Sequence, residues 1–421
     1  MEEKFIIKGG KYLSGEVEIG GYKNAAGPAM AAALLTQEEC RLSNMPLVED
    51  VFRLVEVLKG MGAEISWIGK NELKIKAGPD LDPNKIDPSL VGKSRISVLL
   101  IGALAARFKE FKIAHPGGDR IGLRPIFTHL KALEALGVKS FAEDNFYHFK
   151  REELKGTEVI LKEFSVTATE NLILAAVLAK GTTVIKIAAA EPQVQDLCFQ
   201  LVEMGAKIEG IGTHTLKIEG QEKLSGVNYR IIPDVNEAAT FIVASVFTKD
   251  KVKIINAMPD HMDLFLDKLQ EMGVNLKKGK DFVEVYASPE LRAARIQALP
   301  FPGFATDFLP VILPLLTQSV GKSLIHDPLY ENRLNYTQEL KKMGADIEIV
   351  DPHRVIVFGK TPLSGVDIES WDIRAGASLV IAGLLAKGTT VVKNIYQIDR
   401  GYEKMEEKLQ KIGADIKRIK V

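Results

Sequence analysis

The sequence predicts an α/β protein in two lobes, each made from three copies of a unit of about 70 residues. Three observations carry this expectation. The chain has 421 residues, too many for one ordinary core and suited to two domains of about 200 residues each. A glycine closing an amphipathic segment recurs at Gly62, Gly137, Gly205, Gly273, Gly344 and Gly413, in the strings MGAEI, LGVKS, MGAKI, MGVNL, MGADI and IGADI. Ahead of each of these glycines lies one of AAGPAMAAALL, ISVLLIGALAA, NLILAAVLA, AATFIVASVF, FLPVILPLL and ASLVIAGLLA, apolar nearly all round. Only a helix enclosed by other elements tolerates that pattern.

Taken in order, four copies open on a Leu-x-Gly strand entry, at Leu13, Leu154, Leu224 and Leu363. The enclosed helix follows, then a short Val/Ile strand such as TTVIKI or TTVVKN. A more charged helix comes next and ends at the recurring glycine, which reads as a left-handed C′ residue before another strand. Each unit is therefore expected as strand, buried helix, strand, amphipathic helix, strand. The first lobe is placed at 22–232, carrying a loop at 114–125, and the second at 1–21 with 233–421. A solenoid is disfavoured, because its internal copies would bury one face of a helix and not the whole circumference.

Composition excludes several classes. Apolar residues make up 46% and charged residues 26%, a globular balance. Lys plus Arg equals Asp plus Glu at 55 each, so no net field draws the chain to nucleic acid or an anionic membrane. Cys40 and Cys198 fit no metal-ligand spacing and read as buried thiols in a reducing compartment. The opening MEEKFIIKGGKYLSG lacks a signal-peptide pattern, and stretches such as 98–106 are too short to span a bilayer. A cytoplasmic protein, acting as a monomer, is expected.

The informative polar residues begin the buried helices: Lys23-Asn24, Lys93-Ser94-Arg95, Ser165-Val166-Thr167, Asp234 with Glu237, Thr306-Asp307 and Asp372-Ile373-Arg374. A second set precedes the amphipathic helices: Arg124, Glu191, Arg333 and Arg400. Equivalent positions in a repeat point to equivalent places, so these side chains are expected to converge on a cleft between the lobes. Helix N-termini present unpaired N–H groups, and with Lys23, Arg95, Arg124, Arg333, Arg374 and Arg400 they suit a multiply anionic ligand. Taken singly, each residue reads equally well as a helix cap or a surface ion pair. The segment Ala114-His-Pro-Gly-Gly-Asp-Arg-Ile-Gly-Leu-Arg-Pro125 stands outside the repeat pattern, turn-rich and basic, and suits a lid over phosphate.

At these residues the chain resembles the UDP-N-acetylglucosamine 1-carboxyvinyltransferases over its whole length. The resemblance rests on Tyr22-Lys23-Asn24-Ala25, Pro116 to Pro125, Ser165-Val166, Ala305-Thr306-Asp307, Glu331-Asn332-Arg333, Asp372-Ile373-Arg374 and Ile398-Asp399-Arg400-Gly401-Tyr402-Glu403. It implies an inside-out α/β barrel of six repeats in two lobes. It also implies transfer of the enolpyruvyl group of phosphoenolpyruvate to the 3-hydroxyl of UDP-N-acetylglucosamine with release of phosphate, the first committed step of peptidoglycan precursor synthesis.

By position, the resemblance makes Asp307 the general base and Asp119 the acid at C3. Lys23, Asn24, Arg124, Arg333, Arg374 and Arg400 would hold phosphoenolpyruvate. Arg95, Arg124, Pro125, Ile126, Phe127, Thr128, Glu163, Ser165, Val166, Asp307 and Leu329 would line the nucleotide-sugar site. No metal or organic cofactor is implied. The nearest rival, a shikimate 3-phosphate enolpyruvyl transferase, would carry an Asp-Lys-Ser-Ile-Ser first segment, where this chain has Tyr22-Lys23-Asn24-Ala25. A catalytically silent UDP-sugar-binding relative would be expected to lack the set Lys23, Asp119, Asp307 and Arg400.

Three positions depart from the family pattern. Asp119 stands where most members have a cysteine; an unperturbed carboxyl, with a reference pKa near 3.9, donates protons poorly at neutral pH, so burial by the closed lid is expected to raise it. Glu163 replaces a lysine near the diphosphate, with Lys162 beside it. Pro233-Asp234-Val235-Asn236-Glu237 lacks the arginine that usually follows the aspartate.

Overall fold

The computed structural model describes residues 3–119, 121–288 and 290–420. The chain divides into two compact units, Met1–Gly20 with Arg120–Leu123 and Pro233–Val421, and Gly21–Asp119 with Arg124–Ile232. We call these unit 1 and unit 2. Among the described residues each contains three small sheets, and none of the six closes on itself.

The recurring glycines explain how the units repeat. All six adopt positive φ, between 94° at Gly273 and 102° at Gly205. Each ends a helix in the same two-bond motif. Gly62 N–H donates to Lys59 and Ala63 N–H reaches back to Leu58, just as Gly413 donates to Gln410 and Ala414 to Leu409. This Schellman arrangement satisfies carbonyls the helix leaves unpaired, and a side chain at the glycine would carry the left-handed penalty.

Within a unit, the apolar helices form the interior. Unit 2 encloses Lys23–Ala32, Leu100–Arg107 and Val166–Ala176; unit 1 encloses Val235–Ala244, Phe308–Thr317 and Ile373–Leu385. Every residue of Val235–Ala244 and of Phe308–Thr317 is buried, as an apolar circumference requires. The helices pack at close range: a Cβ on Gly102 would lie 2.2 Å from the Asn171 carbonyl oxygen. Cys40 and Cys198 are buried free thiols, raised by burial to about 11 and about 12.

The Leu-x-Gly entries lead into short strands that pair in parallel with the strand after a buried helix. Glu158–Ile160 pairs with Thr182–Lys186, and Asp367–Glu369 with Thr389–Lys393. The glycine lets the entry strand settle on its neighbour, since a Cβ at Gly226 or Gly365 would lie 2.3 or 2.4 Å from the Glu39 or Thr389 carbonyl oxygen. Several pairings join distant parts of the chain. Gly15–Glu18 pairs with Lys251–Ile255, and Glu3–Lys8 lies between Thr389–Lys393 and Asp415–Lys420, which assigns the N-terminal segment to unit 1. Asn228–Arg230 likewise completes the sheet begun by Glu39–Ser43 in unit 2.

The expected unit needs one correction. After most amphipathic helices come two antiparallel strands, not one, as in Glu64–Trp67 with Glu72–Lys76 and Lys139–Glu143 with Phe146–Lys150. Alternating short segments on either side of polar turn residues give this hairpin.

Candidate functional site

In unit 1 the first turns of the three enclosed helices bring their polar residues together. Asp307 occupies the N-cap position of Phe308–Thr317, Arg374 is the second residue of Ile373–Leu385, and Asn236 the second of Val235–Ala244. The caps are built locally. Asp372 accepts from Arg374 N–H and Ala375 N–H, both at 2.8 Å, and Asp234 from Asn236 N–H at 2.7 Å.

These turns converge on the Asp307 carboxylate. Its Oδ1 accepts from Arg333 Nη2 at 2.7 Å, and its Oδ2 from Arg374 Nε and Asn236 Nδ2, each at 3.1 Å. The Asp307 side chain keeps 24% of its surface open, against 5% for Arg333 and 4% for Arg374. A partly open carboxylate on two buried cations is an oriented proton acceptor with its charge already balanced. Burial alone would lower the Arg333 guanidinium, yet the carboxylates of Asp307, Asp372 and Asp327 outweigh it and hold the group above its ordinary value. Asp327, fully buried, accepts from Thr306 at 2.6 Å and caps Leu329 and Tyr330. The candidate Leu329 is itself half exposed. Burial pushes Asp234 up to about 6 against the pull of Arg374.

Arg400 follows the short helix Tyr396–Asp399, is buried, and donates to Gln397 Oε1 at 3.0 Å. Two residues on, the Tyr402 hydroxyl meets Thr240 Oγ1 at 2.8 Å, and the Arg374 guanidinium lies 5.3 Å from the Tyr402 ring centre.

Unit 2 holds the other candidates. Lys23, first residue of its helix, pairs through Nζ with Asp50 Oδ2 at 2.8 Å, and Asn24 donates to the Tyr22 hydroxyl. Ser94 caps the 3-10 turn Arg95–Leu99, and Ser165 caps Val166–Ala176. In the 114–125 loop Gly118 has φ +128°; a Cβ there would lie 2.8 Å from Arg95 Cβ and 3.3 Å from Arg124 Nη1, so the loop backbone runs directly against both arginines. Asp119 follows it, half-buried. Leu123 N–H donates to Glu331 Oε1 at 2.6 Å and Asn332 N–H to the Ile121 carbonyl, which ties 121–123 to unit 1.

In the segment Pro125 to Thr128, Ile126 is buried and Phe127 exposed. The Thr128 hydroxyl donates to Glu163 Oε1 at 2.6 Å. Next to it stands His129, which no sequence motif marks. Its Nδ1 faces Asn171 Nδ2 at 2.8 Å and its Nε2 faces Thr167 Oγ1 at 3.1 Å. Because Asn171 Oδ1 accepts from Gly102 N–H, the amide turns a donor toward the ring. Nδ1 therefore accepts, and Nε2 carries the proton. Burial, with Arg95 and Arg124 adding to it, lowers His129 to about 3.

The structure thus joins Asp307, Arg333 and Arg374 in unit 1, and sets Arg95, Arg124 and the Gly118 stretch of the loop together in unit 2. Asn236, Asp50 and His129 gave no local signal. Among the described residues no cluster of three or more His, Cys, Asp or Glu is placed to hold a metal ion.

The family profile of EPSP synthase (3-phosphoshikimate 1-carboxyvinyltransferase) matches residues 7–409. A UDP-N-acetylglucosamine 1-carboxyvinyltransferase of Koribacter versatilis is 45% identical, covering 99% of this chain and 96% of the relative. One of Halothermothrix orenii is 42% identical over 99% and 100%. Among solved structures, the enolpyruvyl transferase NikO from Streptomyces tendae superposes with a TM-score of 0.90 at 26% identity, covering 100% and 99%. EPSP synthase from Acinetobacter baumannii, at 19% identity and a TM-score of 0.74 over both full chains, shares the fold.

Proposed function

The chain belongs to the UDP-N-acetylglucosamine 1-carboxyvinyltransferases, within the enolpyruvyl transferase fold, and from that premise we propose how its own residues carry the reaction. It is an enzyme that moves the enolpyruvyl group of phosphoenolpyruvate onto the 3-hydroxyl of UDP-N-acetylglucosamine and releases phosphate.

The sugar oxygen attacks C2 of the donor as Asp307 takes its proton, and C3 receives a proton from Asp119. The tetrahedral ketal then loses a proton from C3 and expels phosphate, restoring the double bond. Lys23, Arg124 and Arg400 hold the donor's phosphate and carboxylate, with Asn24, Arg333 and Arg374 completing the set. Arg95, the segment Arg124 to Thr128, Ser165, Val166 and Leu329 take the nucleotide sugar, and Glu163 lines the same site. The observation that carries the assignment is the Asp307 carboxylate, fixed by two buried arginines and Asn236 yet still partly open.

Unpaired buried thiols at Cys40 and Cys198 suit a reducing cytoplasm. There the product would feed peptidoglycan and hence cell shape and division. Phosphate release tests the reading. Turnover with UDP-N-acetylglucosamine and an adduct one enolpyruvyl group heavier are expected; turnover with shikimate 3-phosphate instead would overturn it.

A further inference from the structure

Arg418 lies in the last strand, Asp415–Lys420, and spends every N–H of its guanidinium on three carboxylates. Nη1 and Nη2 fork onto Asp399 Oδ2 and Oδ1 at 2.8 and 2.7 Å. Nε and Nη2 reach Glu406 at 2.6 and 3.2 Å, and Nη1 also reaches Glu3 at 2.7 Å. The cation rests 5.0 Å from the Phe5 ring centre. The three acids come from three elements: the strand Glu3–Lys8, the turn ending at Asp399, and the helix Met405–Lys411. A bridge that only tied chain ends together would need one acid. Here two forks form, a side-on pair on Glu406 with one bond stretched to 3.2 Å and an end-on pair on Asp399 with both bonds short, at 2.8 and 2.7 Å.

Asp399 is the residue before Arg400. The turn bearing both is fixed elsewhere as well. Arg400 N–H donates to the Tyr396 carbonyl, Gly401 packs so tightly that a Cβ would lie 2.6 Å from Ile373 Cγ2, and Tyr402 is held by Thr240. The Arg400 side chain leans on Gln397 of the same turn, so the orientation of the short helix sets where its guanidinium points. The Asp399–Arg418 fork anchors that helix to the last strand.

We propose that Arg418 is a positioning residue for the donor-binding Arg400, acting through Asp399; this rests on the assignment of Arg400 to phosphoenolpyruvate made above. The hub carries more acids than one cation needs, so Asp399→Asn leaves Arg418 anchored by Glu3 and Glu406 and releases only the limb that leads to Arg400. Glu3→Gln releases a limb that leads away from it.

The test is steady-state phosphate release by the full-length protein, varying each substrate, with thermal melts of the same samples. Asp399→Asn is expected to raise KM for phosphoenolpyruvate about tenfold and leave KM for UDP-N-acetylglucosamine unchanged, the size of effect a small misplacement of a binding group produces. Arg418→Lys, which keeps the charge and loses the fork, should do the same, and the double variant should be no worse than either single one. Glu3→Gln should lower the melting temperature comparably with no change in KM. The proposal is overturned if Asp399→Asn leaves the donor KM within about twofold while Arg400→Ala raises it, or if Glu3→Gln raises it as much as Asp399→Asn. An unchanged donor KM in Arg400→Ala, with the wild type active, would instead remove the assignment on which the proposal rests.

Discussion

Arg333 grips Asp307 from the opposite edge to Arg374, Nη2 on Oδ1 at 2.7 Å against Nε on Oδ2 at 3.1 Å, so the carboxylate cannot rotate without breaking one charged hydrogen bond. A carboxylate held this way is oriented before any ligand arrives, which is where a general base would gain its advantage. The same grip makes Asp307 structurally consequential, because both arginines are buried.

Asp307→Asn keeps the shape and removes the charge. If Asp307 is the general base proposed above, its loss lowers kcat by about a hundredfold or more. Leaving two buried cations short of a countercharge should cost about 2–4 kcal/mol of stability. Phosphate release and urea denaturation read the two effects separately, and a wild-type kcat in this variant would remove Asp307 from the chemistry.

His129 gives a prediction in pH. A histidine lowered to about 3 in the folded state, from an ordinary value of 6.5, stays neutral in the protein while the unfolded chain takes up a proton. Its contribution to stability is therefore complete above pH 6.5 and drains away as pH falls toward 3. The slope approaches about 1.4 kcal/mol per pH unit within that window. Ring NMR signals of His129 should stay in the neutral form, protonated at Nε2, between pH 7 and pH 4; a midpoint near 6.5 would contradict the buried Asn171–His129–Thr167 chain.

What the sequence disclosed, and what it did not, follows from range. The six helix-ending glycines were legible because a left-handed C′ residue is a local demand, met by nearly the same φ each time. The enclosed helices were legible because a helix apolar on every side is stable only where every side is shielded from water. By contrast, the pairing of Gly15–Glu18 with Lys251–Ile255 depends on contacts more than two hundred residues apart in the numbering, and no local pattern encodes it. At the site, charge and register pointed to Asp307 and Arg374, while Asn236 and His129 became visible only through their partners in space. Arg418 was hidden for the same reason: its sequence neighbours are Lys and Ile, and its three acids lie on other elements.

Glu163 tests the nucleotide side. Its carboxylate is held by Thr128 at 2.6 Å, just ahead of the Ser165-capped helix whose N-terminus favours an anion. If the diphosphate of the nucleotide sugar lies there as proposed, a negative side chain repels it. Glu163→Lys reverses the sign and is expected to lower KM for UDP-N-acetylglucosamine severalfold, an effect that weakens in added salt, with KM for phosphoenolpyruvate unaffected. A raised KM would mean that Glu163 accepts hydrogen bonds from the nucleotide sugar and is part of its recognition.

Asp119 carries the last prediction. It lies one residue after Gly118, whose backbone runs against Arg95 and Arg124, on the segment that resembles the family's catalytic loop. If its carboxyl delivers the proton to C3, Asp119→Ala should lose about a hundredfold or more in kcat with both KM values little changed, since the proton is needed only in the transition state. A carboxylate is a far weaker nucleophile toward an epoxide than a thiolate, so the wild-type enzyme should keep its activity during incubation with an alkylating epoxide. Asp119→Cys should stay active, because a thiol with a reference pKa near 8.5 donates readily at neutral pH, and should become subject to time-dependent inactivation with one adduct per chain, seen by mass. Rapid stoichiometric inactivation of the wild type, or an undiminished rate in Asp119→Ala, would place the C3 proton on another group.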